Sequence, residues 1–152
     1  MPGNPEKPVA KMIASACGIG YSPILPGTLA SLAALFLSLP LLDQPPLFLV
    51  VLGILGIVGF VSSRVALQAT QEKDPSWIVM DEVVGMMISL FLIPPKIPYL
   101  VLCFVLFRFF DSVKVFPLDR LEKIKGPWGV FLDDVGAGIY TNILLRFLVR
   151  FF

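Results

Sequence analysis

Fourteen prolines divide this chain into long apolar stretches, and that punctuation limits the possible folds more than any other feature. A proline removes an N–H and its ring clashes with the preceding turn, so helices stop at it or begin just after it. Between the prolines lie five runs: Gly27 to Leu39, Leu47 to Asp74, Ser76 to Ile93, Tyr99 to Phe116, and Trp128 to Phe152. They are long, rich in Leu, Met, Ala and Phe, and show no period-two alternation, so each is expected to be a helix. The fold class that follows is all-α.

Composition says where such helices belong. Apolar residues make up 57% of the chain with glycine left out, and charged residues only 15%. Soluble domains sit near about 45–50% apolar with glycine included, so this chain lacks the polar surface it would need in water. Residues 45 to 63 carry no charge, close to the roughly 20 residues that a membrane-spanning helix requires. We therefore expect a polytopic membrane helical bundle of about four to five membrane-embedded helices, forming a single domain over residues 1–152. Residues 1–17 are expected to be an N-terminal cytoplasmic segment. Its first ten residues are polar and proline-rich, without a signal peptide's apolar core, and read as a frayed tail.

Lys and Arg bias orients the bundle. With the N-terminus inside, the inner segments hold Lys7, Lys11, Lys73, Lys114, Arg120, Lys123 and Lys125, against Lys96, Arg146 and Arg150 outside. This places the starts of the first, third and fifth runs and the end of the fourth on the cytoplasmic side.

Absences narrow the chemistry. There is no His, which removes Ser-His-Asp triads, His-ligated metals and phosphohistidine intermediates. Cys17 and Cys103 have neither CxxC spacing nor the arginine of a C-x5-R phosphate loop, and are expected to be inert. Walker and GxGxxG loops are missing. The balance of 12 basic to 11 acidic residues argues against nucleic acid as a partner.

The few remaining charges stand in unusual places. Asp81, Glu82, Asp111, Asp133 and Asp134 lie inside or at the edge of apolar runs, where a carboxylate costs about 2.5–3.5 kcal/mol at the centre of a helix unless it is paired, solvated or bound to a cation. Helix-start acids that complement the macrodipole would account for four of them, but not for Asp111 at a C-terminal end. A cation explains all five, and ligands that are all oxygen favour Mg²⁺, commonly shared with a substrate phosphate. Arg108, Asp111 and Lys114 recur every three residues along one helix face, either as a charge ladder or as a group that holds the metal and neutralises phosphate. Thr28 reads as an N-cap, and the amides near Gly27 and Thr28 as a possible anion site. The glycines after Asp134 suggest close helix packing. A cation-transport protein is the alternative that also places carboxylates within a membrane, and a scaffold using the acids as helix caps is a third reading.

Four segments carry a resemblance: Ser22-Pro-Ile-Leu-Pro-Gly-Thr-Leu-Ala-Ser31, Ile78-Val-Met-Asp-Glu-Val-Val-Gly85, Phe107-Arg-Phe-Phe-Asp-Ser-Val-Lys114 and Gly129-Val-Phe-Leu-Asp-Asp-Val-Gly-Ala-Gly138. In this order they resemble the phosphatidylglycerophosphatase A family of bacterial membrane lipid phosphatases. The resemblance implies Mg²⁺-dependent hydrolysis of a phospholipid substrate, phosphatidylglycerophosphate, to phosphatidylglycerol and phosphate. It implies a catalytic set of Asp81, Glu82, Asp111, Lys114, Asp133 and Asp134, with the five carboxylates as metal ligands. Arg108, Lys114, Gly27 and Thr28 are then expected to bind substrate. Two positions depart from the family pattern: Val115 follows Lys114 where a proline is usual, and Gly126-Pro127 replaces a Gly-Gly pair and removes one amide donor.

Overall fold

The structure is a computed structural model that describes residues 6–72 and 75–151. Its described residues contain seven α-helices and no strand: α1 (Glu6–Ala14), α2 (Pro26–Ser38), α3 (Pro45–Gln68), α4 (Met80–Leu90), α5 (Ile97–Val113), α6 (Leu118–Leu121) and α7 (Pro127–Phe151). Short 3-10 turns occupy Ile19–Tyr21 and Leu39–Leu41. Pro26, Pro45 and Pro127 each open a helix, where the missing N–H costs nothing and the fixed φ suits the first turn.

Several boundaries differ from the sequence expectation. Residues 6–14 are helical rather than a frayed tail, because Ala10 and Ala14 lie one turn apart and are both buried, Ala14 with Ala66 of α3 and Ile78. Residues 1–5 of that segment, and Lys73 and Asp74, lie outside the described residues. The third run becomes helical only at Met80, since Val79 donates its N–H across the chain to the carbonyl of Ala14. Thr28 is not an N-cap. Pro26 starts α2 from Leu25, which has a φ of 44° and makes no side-chain cap, and this puts Thr28 inside the first turn. Helix α6 and the loop after it were not foreseen.

Helix α4 is the centre of the molecule. It packs against α2, α3, α5 and α7, and nine of its eleven residues are buried. Its closest neighbour is α7, and two glycines bring their backbones together. A Cβ on Gly138 would run into the Gly85 carbonyl, and one on Gly85 would lie 2.6 Å from the Asp134 carbonyl. At the far end of α4, the Asn142 side-chain amide of α7 donates to the carbonyls of Ser89 at 3.0 Å and Phe91 at 2.8 Å. Those acceptors would otherwise be left over where the helix stops.

Among the described residues one helix, α3, is long and apolar enough to cross a membrane, and only 22% of its most apolar window is buried within the protein. The expected four to five embedded helices are not reached on that criterion. Helices α2, α4 and α5 have 13, 11 and 17 residues and fall short in length, and α7 carries Asp133, Asp134, Arg146 and Arg150. The outward faces remain apolar all the same. Ile54, Ile57 and Val61 of α3, Val101 and Val105 of α5, and Ile143 and Phe147 of α7 are all exposed, a surface too oily for water.

The α4–α7 contact can be tested by adding volume to it. Gly138→Val should destabilise the protein by about 1–3 kcal/mol, the usual cost of overpacking. Gly53→Ala on α3, where a Cβ meets nothing within 4 Å, should be neutral or stabilising by up to about 1 kcal/mol. Thermal unfolding in detergent checks both, and equal melting temperatures for the two variants would refute the contact.

Candidate active site

Helices α2, α4 and α7 begin, and α3 and α5 end, around one cavity of about 900 Å³. All nine residues nominated from the sequence line it: Gly27 and Thr28 on α2, Asp81 and Glu82 on α4, Arg108 and Asp111 on α5, Lys114 just beyond α5, and Asp133 and Asp134 on α7. Asp81 and Glu82 lie in the first turn of α4. Asp133 and Asp134 are the seventh and eighth residues of α7, about 9 Å along its axis, where the macrodipole at the helix start no longer accounts for them.

The acids divide into two sets. Asp81, Glu82 and Asp134 form a trio in which one carboxylate oxygen from each lies within 4.8 Å of the others. Asp81 and Asp134 are each only 4% exposed. Asp81 Oδ1, Glu82 Oε2 and Asp134 Oδ1 are buried with no hydrogen-bond partner. Three buried carboxylates at this spacing repel one another, and unpartnered buried oxygens are costly. A hard cation satisfies them together, so the trio can hold a metal ion.

The other two acids are engaged elsewhere. Asp111 Oδ2 pairs with Arg108 Nη1 at 2.7 Å, although Nη1 is not aligned for a hydrogen bond. Asp133 Oδ2 accepts from Lys114 Nζ at 2.7 Å, and the same ammonium lies 3.1 Å from Glu122 Oε1. The structure therefore brings three of the five expected metal ligands within reach of one ion, and places Asp111 and Asp133 beside cations.

Lys114 terminates α5 with a φ of 48°, a left-handed turn that redirects the chain. Partial burial works against its charge, but the contacts to Asp133 and Glu122 outweigh this and hold its pKa above the ordinary lysine value. It stays an ammonium throughout the neutral range. The N–H groups of Gly27 and Thr28, also in the cavity lining, fall in the first turn of α2, where a helix supplies no acceptors. A Cβ on Gly27 would meet the Glu82 carboxylate, so a larger residue here would displace that side chain. The sequence reading missed Glu122, Lys123 and Lys125 as cavity residues. They sit in a polar loop that carries no motif, and only their closeness in the chain to Asp133 hinted at a role.

Known proteins place this arrangement. A protein of Haemophilus influenzae named phosphatidylglycerophosphatase A is 32% identical over 151 residues, covering 93% of each chain. One of Escherichia coli with the same name is 32% identical over 142 residues, covering 90% of this chain and 81% of its own. One of Bacteroides thetaiotaomicron, provisionally named a phosphatidylinositol-3-phosphatase, is 34% identical over 142 residues, covering 88% of this chain and 89% of its own. No solved structure matches the chain. The family model for phosphatidylglycerophosphatase A matches residues 12–149, which include every residue of the carboxylate trio and both of its neighbouring ion pairs, and the chain belongs to that family of phosphatases.

Proposed function

We propose that the protein hydrolyses the terminal phosphomonoester of phosphatidylglycerophosphate in a Mg²⁺-dependent reaction, releasing phosphatidylglycerol and phosphate. The observation that carries this reading is the buried trio Asp81, Glu82 and Asp134, whose unpartnered oxygens face a cavity also lined by Arg108 and Lys114. Family membership supports the phosphatase activity.

The trio would hold the cation through oxygen donors, with Asp111 and Asp133 next to it. Bound there, Mg²⁺ would supply positive charge to the phosphoryl oxygens and to the group that attacks phosphorus. Arg108 and Lys114 neutralise the remaining charge on the transferred group. Asp133 and Glu122 hold the Lys114 ammonium in position, so it is oriented before substrate arrives. The free N–H groups of Gly27 and Thr28 offer further donors to an anion. The exposed apolar faces of α3, α5 and α7 fit a lipid environment, and the bundle would sit in the inner membrane with its cavity toward the cytoplasm, as the Lys and Arg bias indicates.

A cation-transport role is less favoured, since the carboxylates gather in one cavity instead of following the depth of the bundle. The relatives' names set the substrates worth comparing. Purified protein in detergent should release phosphate from phosphatidylglycerophosphate with Mg²⁺ and not with EDTA. Phosphatidylinositol 3-phosphate and phosphatidic acid complete the panel, and phosphate release that is indifferent to EDTA would reject the metal assignment.

Site variants sort the roles. Asp81→Asn and Asp134→Asn should each lower kcat by about 100-fold or more while the fold is kept, because each removes a charge from the cation's cradle. Full Mg²⁺-dependent activity in either variant would disprove the trio. Lys114→Ala should lower kcat/KM by about 10- to 100-fold, a loss of charge-assisted contact to phosphate. An unchanged kcat/KM would leave Lys114 a structural residue only.

A further inference from the structure

The cavity has cations at two depths, and only the inner pair is explained by hydrolysis of a phosphomonoester. Arg108 and Lys114 are part-buried and already paired with Asp111 and Asp133. Lys123 and Lys125 line the same cavity but are exposed. Among the described residues neither of them forms an ion pair.

Their loop is held in place over the cavity. Glu122, the residue before Lys123, pairs with Lys114 on the cavity wall. The chain then packs on the first turn of α7, where a Cβ on Gly129 would collide with the Ile124 carbonyl and come within 3.2 Å of the Leu121 carbonyl. Gly126 turns the chain with a φ of 85°. Glu122 thus pins the loop from one side and Gly129 from the other. Two exposed ammonium groups, without an ion pair among the described residues, are held at the mouth, while the carboxylates of the trio are the buried part of the lining.

A lone phosphomonoester bound at the base does not need this second positive centre. A lipid that carries an inner phosphodiester as well as its outer phosphomonoester does. The two phosphates of such a lipid are separated by a short polyol, so when the outer one reaches the buried trio the inner one, nearer the acyl chains, remains toward the mouth. We propose that Lys123 and Lys125 recognise this inner phosphodiester and make the enzyme selective for glycerolipids that bear two phosphates over those with a single phosphomonoester. The inference rests on the phosphatase reading above and adds to it the residues that choose the substrate.

The test compares phosphatidylglycerophosphate, which has both phosphates, with phosphatidic acid, which has only the monoester, in mixed micelles of a neutral detergent. Wild-type protein should show the lower KM for phosphatidylglycerophosphate. The double variant Lys123→Ala, Lys125→Ala should raise that KM about 5-fold or more, as expected for losing two solvent-accessible charge contacts. Its kcat, and its KM for phosphatidic acid, should stay near wild type. Lys123→Arg with Lys125→Arg keeps both charges and should restore the lower KM.

Equal KM changes on the two lipids would overturn the proposal, since they would show general attraction to an anionic surface or altered folding. No change on either would overturn it as well. Hydrolysis of both lipids by the wild-type protein with equal KM would defeat the selectivity and leave the phosphatase reading standing. Absence of hydrolysis of any lipid phosphate would defeat both.

Discussion

Everything at the cavity depends on how closely α4 and α7 approach. Gly85 follows Asp81 by four residues and Gly138 follows Asp134 by four, so on each helix the contact glycine lies one turn behind an acid and on the same face. When the two backbones meet at the glycines, the acids ahead of them are brought side by side. Side chains at either glycine would push the helices apart and separate the carboxylates with them. Residues about fifty positions apart in the chain thereby share one small volume, and backbone contact holds them there without help from a flexible loop.

The charges around that volume are ordered by depth and by pairing. At the base, three carboxylates keep oxygens without protein partners. Beside them, each inner cation is matched to an acid outside the trio, Arg108 to Asp111 and Lys114 to Asp133. Among the described residues no cation forms an ion pair with the trio. A buried carboxylate left without a partner is unfavourable for the fold taken alone, so the arrangement makes sense as a seat for a cation. The engaged acids hold Arg108 and Lys114 at the cavity wall, where the proposed reaction would present a phosphate.

Much of this could be read from the amino acids because the chain is so apolar. Against that background each acid within an apolar run is conspicuous, and proline marks nearly every helix start, so the nine nominated residues fall where the helix ends gather around one cavity. What escaped were features set by tertiary contact. Helix α1 looked like a tail because its polar residues and prolines dominate its composition, whereas it is held by Ala14 packing against Ala66 of α3 and Ile78. Glu122 looked like one more charge in a polar loop, and its pairing with Lys114 arises only because α5 ends in a left-handed turn. The division of five acids into a trio and two engaged residues was equally invisible, since spacing along a helix does not say which neighbouring cation each acid will meet. Thr28 shows the same limit at smaller scale, for a proline two residues earlier set the helix start that its side chain was expected to cap.

The clamp at the far end of α4 has a consequence for the molecule as a whole. Where this short helix stops, Asn142 takes up the carbonyls of Ser89 and Phe91, so those two acceptors make no demand on water. The opposite end opens into a cavity crowded with charge. The eleven residues of α4 rise about 16 Å, roughly half the thickness of a bilayer's hydrocarbon core. One helix therefore joins an end whose carbonyls are taken up by the protein to an end that opens on a charged cavity, over about half the span of such a core. In the lipid setting proposed above, such a helix would bring ionic chemistry beneath the surface while leaving the leaflet beyond it sealed.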